Sequence, residues 1–373
     1  MHIGLLFTYG YSLKTWQESG TLTREVLFYK ELVKNYNLKF TFFTYGDKSD
    51  LNVEIGTDQI EVIPIYDLIG ESKNKYYNLI KSFIIPFKLR KYFHSINLIK
   101  QNQLQGSWVA ILLKILTGLP LFTRTGYDVF KFSIHEKKSF IKITFYYLLT
   151  QLSIACSNFY TVSNKTELNY LKKYFLFSKN ISLRPNWILD SKLVDIEKRK
   201  KYEILSVGRL EDQKNYNRLV DLFHDSRYEI KIAGSGSKKE DLIKLANEKN
   251  VTIDFLGRVN NEELQKIYEK HAFFVTTSLF EGNPKSLLEA MSKGCVVIAS
   301  DIENHREIIT HGENGYLIPD DCLSLDLLIN TLKEDKEKLK KVSTKAKEFV
   351  SNNYGIASLL KLELEDYNKL LKS

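Results

Sequence analysis

Short apolar runs of strand length alternate with amphipathic runs of helix length along nearly all of this chain, and the alternation breaks once. Few folds satisfy that pattern, because a strand–helix–strand repeat buries both faces of a parallel sheet under helices. The first series opens with an apolar run over 3–9, of the kind that fills a buried parallel strand. A loop over 10–20 follows, then a helix over about 21–35 and a strand over 39–45. Residues 119–125 and 158–162 read as further strands, with Ser163 as N-cap of a helix over 166–175. Between Arg184 and Arg199 the pattern stops. Pro185, Asn186 and the run Glu197-Lys198-Arg199-Lys200-Lys201 mark an exposed connection between domains. The second series places strands over 202–207, 229–233, 252–256, 273–277 and 296–300, with helices over 215–224, 238–249 and 262–270 between them.

The expected fold is therefore α/β, with two Rossmann-like doubly wound domains facing each other across a cleft. Their bounds are 1–188 and 200–354, with a helix over about 355–373 packing back on the first. A length of 373 residues suits two cores better than one. Ligands of such sheets sit outside the carboxyl ends of the strands.

Composition excludes several classes. Hydrophobic content of 43% and charge of 27% describe a soluble globular protein. Cys156, Cys295 and Cys322 are odd in number and widely spaced, which points to a reducing compartment rather than a disulfide or metal framework. The first residues lack a basic segment and a small-residue cleavage site, so a cytoplasmic location is expected. The uncharged run over 143–164 is interrupted by Thr144, Thr150, Gln151, Ser153, Ser157 and Asn158, and reads as a buried helix followed by a strand rather than a membrane span. Net charge is +9 and unevenly spread: between Glu71 and Lys100 stand seven Lys or Arg against Glu71 alone. Aromatic and aliphatic residues interleave with them, which suits an anionic membrane surface, although a core-facing helix with a solvated basic side would read the same. Nucleic acid is not expected, since no binding module accompanies the charge.

The segment with most chemistry is Phe280-Glu281-Gly282-Asn283-Pro284-Lys285-Ser286-Leu287-Leu288-Glu289-Ala290-Met291. It reads as a loop entering a helix, with Asn283 as N-cap and Pro284 at the first helical position. The amides of Lys285, Ser286 and Leu287 then point out of the helix start, a cradle for anions and hydroxyls. Glu281 before the cradle and Glu289 within the helix can accept hydrogen bonds from two groups of hydroxyls on one elongated ligand, such as a nucleotide sugar. Taken alone, the motif fits a capped surface helix equally well. Upstream, Gly208 leaves a strand and is followed by Arg209 and Lys214, two cations able to neutralise a diphosphate. Gly234-Ser235-Gly236 lacks the third glycine of a dinucleotide fingerprint. Arg258 and Val259 end the next strand, where they can flank a base.

As an ordered set, these motifs resemble the retaining GT-B glycosyltransferases of family four, the glycosyl transferases group 1 type. The likeness runs over about 204–320 and includes Gly312-Glu313-Asn314-Gly315-Tyr316-Leu317; the first half matches weakly. The resemblance implies that Arg209 and Lys214 bind the donor diphosphate, Glu289 the ribose, and Glu281 the sugar near the reacting carbon. It implies that the amides over 283–287 steady sugar and phosphate. Gly282-Asn283-Pro284-Lys285-Ser286 stands where many members carry Gly-Phe-Gly-Leu-Pro, so the family's common donor preferences do not transfer. In the first half, Gly20-Thr21 occupies the place of a small-residue loop near the phosphates, and Arg124 or Asp128 can reach a cleft; a helix cap is the plainer role for Asp128, and a surface place for His135.

The implied activity is retaining transfer from an NDP-sugar, a UDP-sugar in the first instance, to a glycan or lipid-linked glycan acceptor of cell-surface polysaccharide. No cofactor is implied. No Asp-x-Asp occurs in the chain, so no metal is expected. Two other readings share the motifs: a GT-B nucleotide-sugar epimerase, which needs no acceptor surface, and a non-catalytic sugar-binding partner of a synthase.

Overall fold

In the computed structural model, residues 1–189, 191 and 194–372 are described. The chain divides into two compact units, Met1–Pro185 with Leu359–Ser373, and Asn186–Ser358. Within the expected connection over 184–199, Asp190, Lys192 and Leu193 lie outside the described residues, as does Ser373 at the end of the helix expected over about 355–373.

The first unit holds a parallel sheet of seven strands: β1 (His2–Leu6), β2 (Lys39–Thr44), β3 (Ile60–Pro64), β4 (Leu98–Asn102), β5 (Leu121–Arg124), β6 (Phe159–Val162) and β7 (Ile181–Leu183). Their order is β3-β2-β1-β4-β5-β6-β7, so the direction of winding reverses between β1 and β4. The second unit holds six: β8 (Lys200–Val207), β9 (Glu229–Ala233), β10 (Thr252–Gly257), β11 (His271–Thr276), β12 (Val296–Ser300) and β13 (Tyr316–Ile318). Its order, β10-β9-β8-β11-β12-β13, reverses between β8 and β11. The fold is thus α/β with two doubly wound parallel sheets.

Burial explains the second sheet. β11 is buried at every residue, as a central parallel strand covered on both faces must be. Its side chains alternate between two cores. Phe273 and Val275 join Ile204, Ile230 and Ile298 on one face. Phe274 joins Leu205, Val297 and Ala299 on the other, where the helix Lys285–Ser292 contributes Leu287, Leu288 and Met291.

In the first unit, the C-terminal helix Ile356–Lys372 is tied down by charge. Lys100 on β4 is fully buried and pairs with Glu363, while Tyr367 donates to Glu363 at 2.5 Å. Arg184 forks onto Asp366 through Nε and Nη2, each at 2.6 Å.

Four local expectations are corrected. The loop over 10–20 contains a helix, Leu13–Glu18, started by a reciprocal cap between Ser12 and Thr15. Asn164, not Ser163, caps the helix Lys165–Tyr174, because its side chain accepts from the Glu167 amide. The charged run at 197–201 is not all solvated: Arg199 is buried and donates to the carbonyls of Val194 and Lys293, and Lys200 already begins β8. Finally, the helix Phe140–Cys156 is not buried as a whole; within the run over 143–164, Phe145 is 48% exposed, Leu148 53% and Leu152 55%. Among the described residues, no helix is long and apolar enough to cross a membrane.

Candidate functional site

Gly208, Arg209 and Lys214 follow β8 and the segment from Glu281 to Glu289 follows β11, the two strands at the winding switch of the second sheet, while Arg258 and Val259 follow the edge strand β10. Gly208 follows β8, and its amide donates to the Ala233 carbonyl at 3.0 Å. A Cβ at Gly208 would stand 2.9 Å from Cε of Lys214, so a larger residue would push that lysine aside. The turn Gly234-Ser235-Gly236 packs on the same loop: a Cβ at Gly234 would lie 1.8 Å from the Gly208 carbonyl oxygen. These glycines serve the approach of two loops at the strand ends.

Lys214 and Glu281, expected on different parts of a donor, hold each other. Lys214 Nζ lies 2.5 Å from Glu281 Oε1, and Ser278 Oγ donates to the same oxygen at 2.6 Å. Both charged side chains are mostly buried, at 15% and 8% exposure. Arg209 is exposed and reaches Gln213 Oε1 at 3.4 Å. Gln213 fastens the two loops together, since its side chain donates to the Phe280 carbonyl at 2.9 Å and its own carbonyl accepts from Leu279. Arg258 donates from Nε to Ser235 Oγ, and Val259 beside it is partly buried.

The helix carrying Glu289 begins at Lys285, with Pro284 as its cap and no side-chain hydrogen bond there. Asn283 therefore lies one residue outside the expected capping position. Of the three amides expected to point outward, that of Leu287 bonds the Pro284 carbonyl at 3.1 Å, which tightens the first turn. Glu289 is 9% exposed, and Tyr268 Oη donates to it at 3.4 Å.

Sequence reasoning missed four residues that shape this cluster. Gln213 and Ser278 were legible only through position, each within a segment leaving a switch strand. Asn304 donates to the Gly282 carbonyl at 2.9 Å and orders the loop after Glu281. His305 is fully buried, with Nδ1 2.8 Å from the Ser300 carbonyl. Burial holds this imidazole below its ordinary pKa, while the charges of Glu281 and Lys214 act on it in opposite directions.

The first-unit candidates have plainer surroundings. Gly20 (φ +70°) and Thr21 form the turn between helices Leu13–Glu18 and Leu22–Tyr36, not an open small-residue loop. Arg124, at the end of β5, donates to the Pro185 carbonyl at 3.3 Å. Asp128 is a helix cap: its buried carboxylate accepts from the amides of Phe130 and Lys131, and burial raises its pKa to about 6. His135 is exposed.

Residues 192–349 match the family model for glycosyl transferases group 1. The chain is 34% identical over 161 residues to a Campylobacter jejuni N-acetylgalactosamine-N,N'-diacetylbacillosaminyl-diphospho-undecaprenol 4-alpha-N-acetylgalactosaminyltransferase, covering 42% of this chain and 43% of that one. It is 28% identical over 220 residues to the O-antigen chain mannosyltransferase RfbU of Salmonella typhimurium, covering 57% and 61%. The matched stretches thus span about half the length of the curated relatives. Over 99% of its length the chain superposes on Anabaena Alr3699/HepE, solved in complex with UDP and glucose, with a TM-score of 0.74 at 16% identity and all of that chain covered. The second unit is a glycosyl transferases group 1 domain, and the chain has the GT-B fold.

Proposed function

We propose that this chain is a retaining, metal-independent glycosyltransferase. It moves a sugar from a UDP-sugar to a lipid-linked glycan acceptor in cell-surface polysaccharide synthesis. The observation that carries the reading is the convergence of Lys214, Glu281 and Ser278 at the β8/β11 switch, in a domain that matches a glycosyltransferase family. The bound UDP and glucose of a protein with the same fold support the donor class, and the undecaprenol-linked substrate in the name of the Campylobacter relative supports the acceptor class.

Transfer breaks the bond between the anomeric carbon and the diphosphate oxygen and forms one to an acceptor hydroxyl oxygen. The acceptor proton leaves with the departing diphosphate or passes to a nearby base. Positive charge grows on the sugar ring and negative charge on the leaving oxygens, so fixed cations aimed at those oxygens lower the barrier. Arg209 and Lys214 fill that role in this reading. Glu281 receives the sugar hydroxyls and Glu289 the ribose hydroxyls, while Arg258 and Val259 flank the base. The loop and helix start over 283–287 steady the sugar and phosphates. Donor entry must then exchange the Lys214–Glu281 contact for contacts with phosphate and sugar, which keeps both charges satisfied before and after.

Metal independence rests on the lack of an Asp-x-Asp in the sequence. Turnover unchanged by EDTA is the expected result; loss in EDTA with recovery in Mn²⁺ would refute it. An NMR spectrum of the product should report the donor's anomeric configuration, and inversion would remove the assignment.

A further inference from the structure

The first unit carries two helical segments that each hold a stripe of large apolar side chains in solvent. Along Phe140–Cys156, Ile141, Phe145, Leu148 and Leu152 recur at helical spacing and point to solvent, Phe145 being the least exposed at 48%. The packed side of that helix buries Leu149 and Ile154 together with Thr150 and Ser153, and Ser153 donates to Ser107 on the helix Ser107–Thr117. The segment from Lys75–Ser82 into Ile85–Leu89 repeats the design. Tyr76, Ile80, Phe83 and Phe87 recur at the same spacing and are all at least 51% exposed, while Asn78, Ser82, Ile85 and Leu89 are buried. Ser82 accepts from the indole of Trp108, on whose ring Phe83 stacks.

These segments belong to one layer. The helix Ser107–Thr117 lies against β4 and β5 and packs on both Ile85–Leu89 and Phe140–Cys156, and it adds the exposed Ile115. A helix that already buries apolar residues on its packed side and still carries a bulky apolar stripe on its outer side meets an apolar medium or partner there, since a large exposed apolar patch is otherwise costly. Charge identifies the partner. From 72 to 164 the chain carries thirteen Lys or Arg against two acidic residues, a net of +11, where the whole chain is +9. Lys75, Lys88, Arg90, Lys91 and Lys142 are exposed among the apolar stripes. Apolar ridges flanked by cations match a bilayer surface of acyl chains under anionic headgroups.

We infer that this helix layer is a membrane-docking face for anionic lipid, with the Phe140–Cys156 ridge inserted beside the basic 75–91 segment. The inference deepens the lipid-linked-acceptor reading above. It extends the surface well beyond the basic segment seen in the sequence, and it needs no membrane-spanning helix.

The test is flotation of the full chain with vesicles of phosphatidylcholine alone or with about 30% phosphatidylglycerol. The wild type is expected to float with the anionic vesicles and about tenfold less with the neutral ones, and to be released by high salt. The variant I141S/F145S/L148S and the separate variant K88E/R90E/K91E should each lose flotation while keeping their circular dichroism and thermal midpoint. The inference fails if the wild type stays at the bottom of both gradients, or if both variants float unchanged. It also fails if sedimentation shows a dimer that I141S/F145S/L148S splits without any flotation by the wild type, since a second copy would then cover the face. Binding of UDP, followed in parallel, separates the two readings: flotation without nucleotide binding removes the transferase and leaves the docking face, and the reverse result does the opposite.

Discussion

At the scale of single residues, two carboxylates eight positions apart in the chain, Glu281 and Glu289, have different partners and different proposed roles. Glu281 shares one oxygen between Lys214 and Ser278, so its charge is already organised where the sugar is proposed to sit. Glu281→Gln keeps the shape and removes the charge; kcat should fall by about 100-fold or more, the cost of losing one oriented transition-state contact, while the UDP dissociation constant stays within about threefold. Glu289→Ala should do the reverse. A hydrogen bond to a charged group contributes about 1.5–3 kcal/mol, so the donor KM should rise by about tenfold or more with a smaller effect on kcat. Steady-state kinetics with calorimetry of UDP binding decides both, and equal effects of the two substitutions would contradict the placement. Asp128 illustrates what sequence leaves open. A carboxylate at a helix start was legible, but its burial beneath the fold was not. Its pKa is raised to about 6, above the ordinary unfolded value near 4, so its charge weakens the fold progressively as pH rises from about 4 to 6 and by a constant amount above that. Asp128→Asn keeps a capping oxygen and should remove that decline, a gain of about 3 kcal/mol at most at pH 7, measurable by denaturant titrations at pH 4.5 and 7.

At the scale of elements, the C-terminal helix depends on a buried charge pair that no local pattern announces. Burial by itself would raise the pKa of Glu363, but Lys100 and Arg124 beside it outweigh that and hold it below the ordinary range, so it stays ionised against Lys100. Removing one partner strands the other in the core. Glu363→Ala should therefore cost about 3–5 kcal/mol in the denaturant transition of the first unit, and a loss below about 1 kcal/mol would show that the helix is held by packing alone. The elements themselves were read unevenly, for physical reasons. β9 and β12 coincide with the expected strands because the alternation Glu-Ile-Lys-Ile-Ala in one and the apolar, β-branched run Val-Val-Ile-Ala in the other leave little choice. The helix Leu13–Glu18 escaped because a local exchange between Ser12 and Thr15 starts it, not a periodic apolar face. In the helix Phe140–Cys156 the lack of charge over 143–156 does not mean burial: Leu149, Thr150, Ser153 and Ile154 face inward, whereas Phe145, Leu148 and Leu152 face solvent.

At the scale of the whole molecule, the repeated strand–helix alternation was enough for two doubly wound sheets, and the order of motifs over 204–320 was enough for the glycosyl transferases group 1 domain that matches at 192–349. The assembly of the site was not. Gln213, Ser278, Asn304 and His305 come together only because β8, β11 and β12 lie side by side in the folded sheet, while up to 92 residues of sequence separate them, and no single-chain periodicity carries that information. The central claim is that this switch-point cluster binds a nucleoside diphosphate. Calorimetric titration of the purified chain with UDP, GDP, ADP, CMP and dTDP, repeated on Lys214→Ala and Glu289→Ala, tests it most directly. We predict binding of UDP in the wild type, unchanged by EDTA and weakened about tenfold or more in each variant. No binding of any of these nucleotides, or UDP binding that both variants leave intact, would contradict the account.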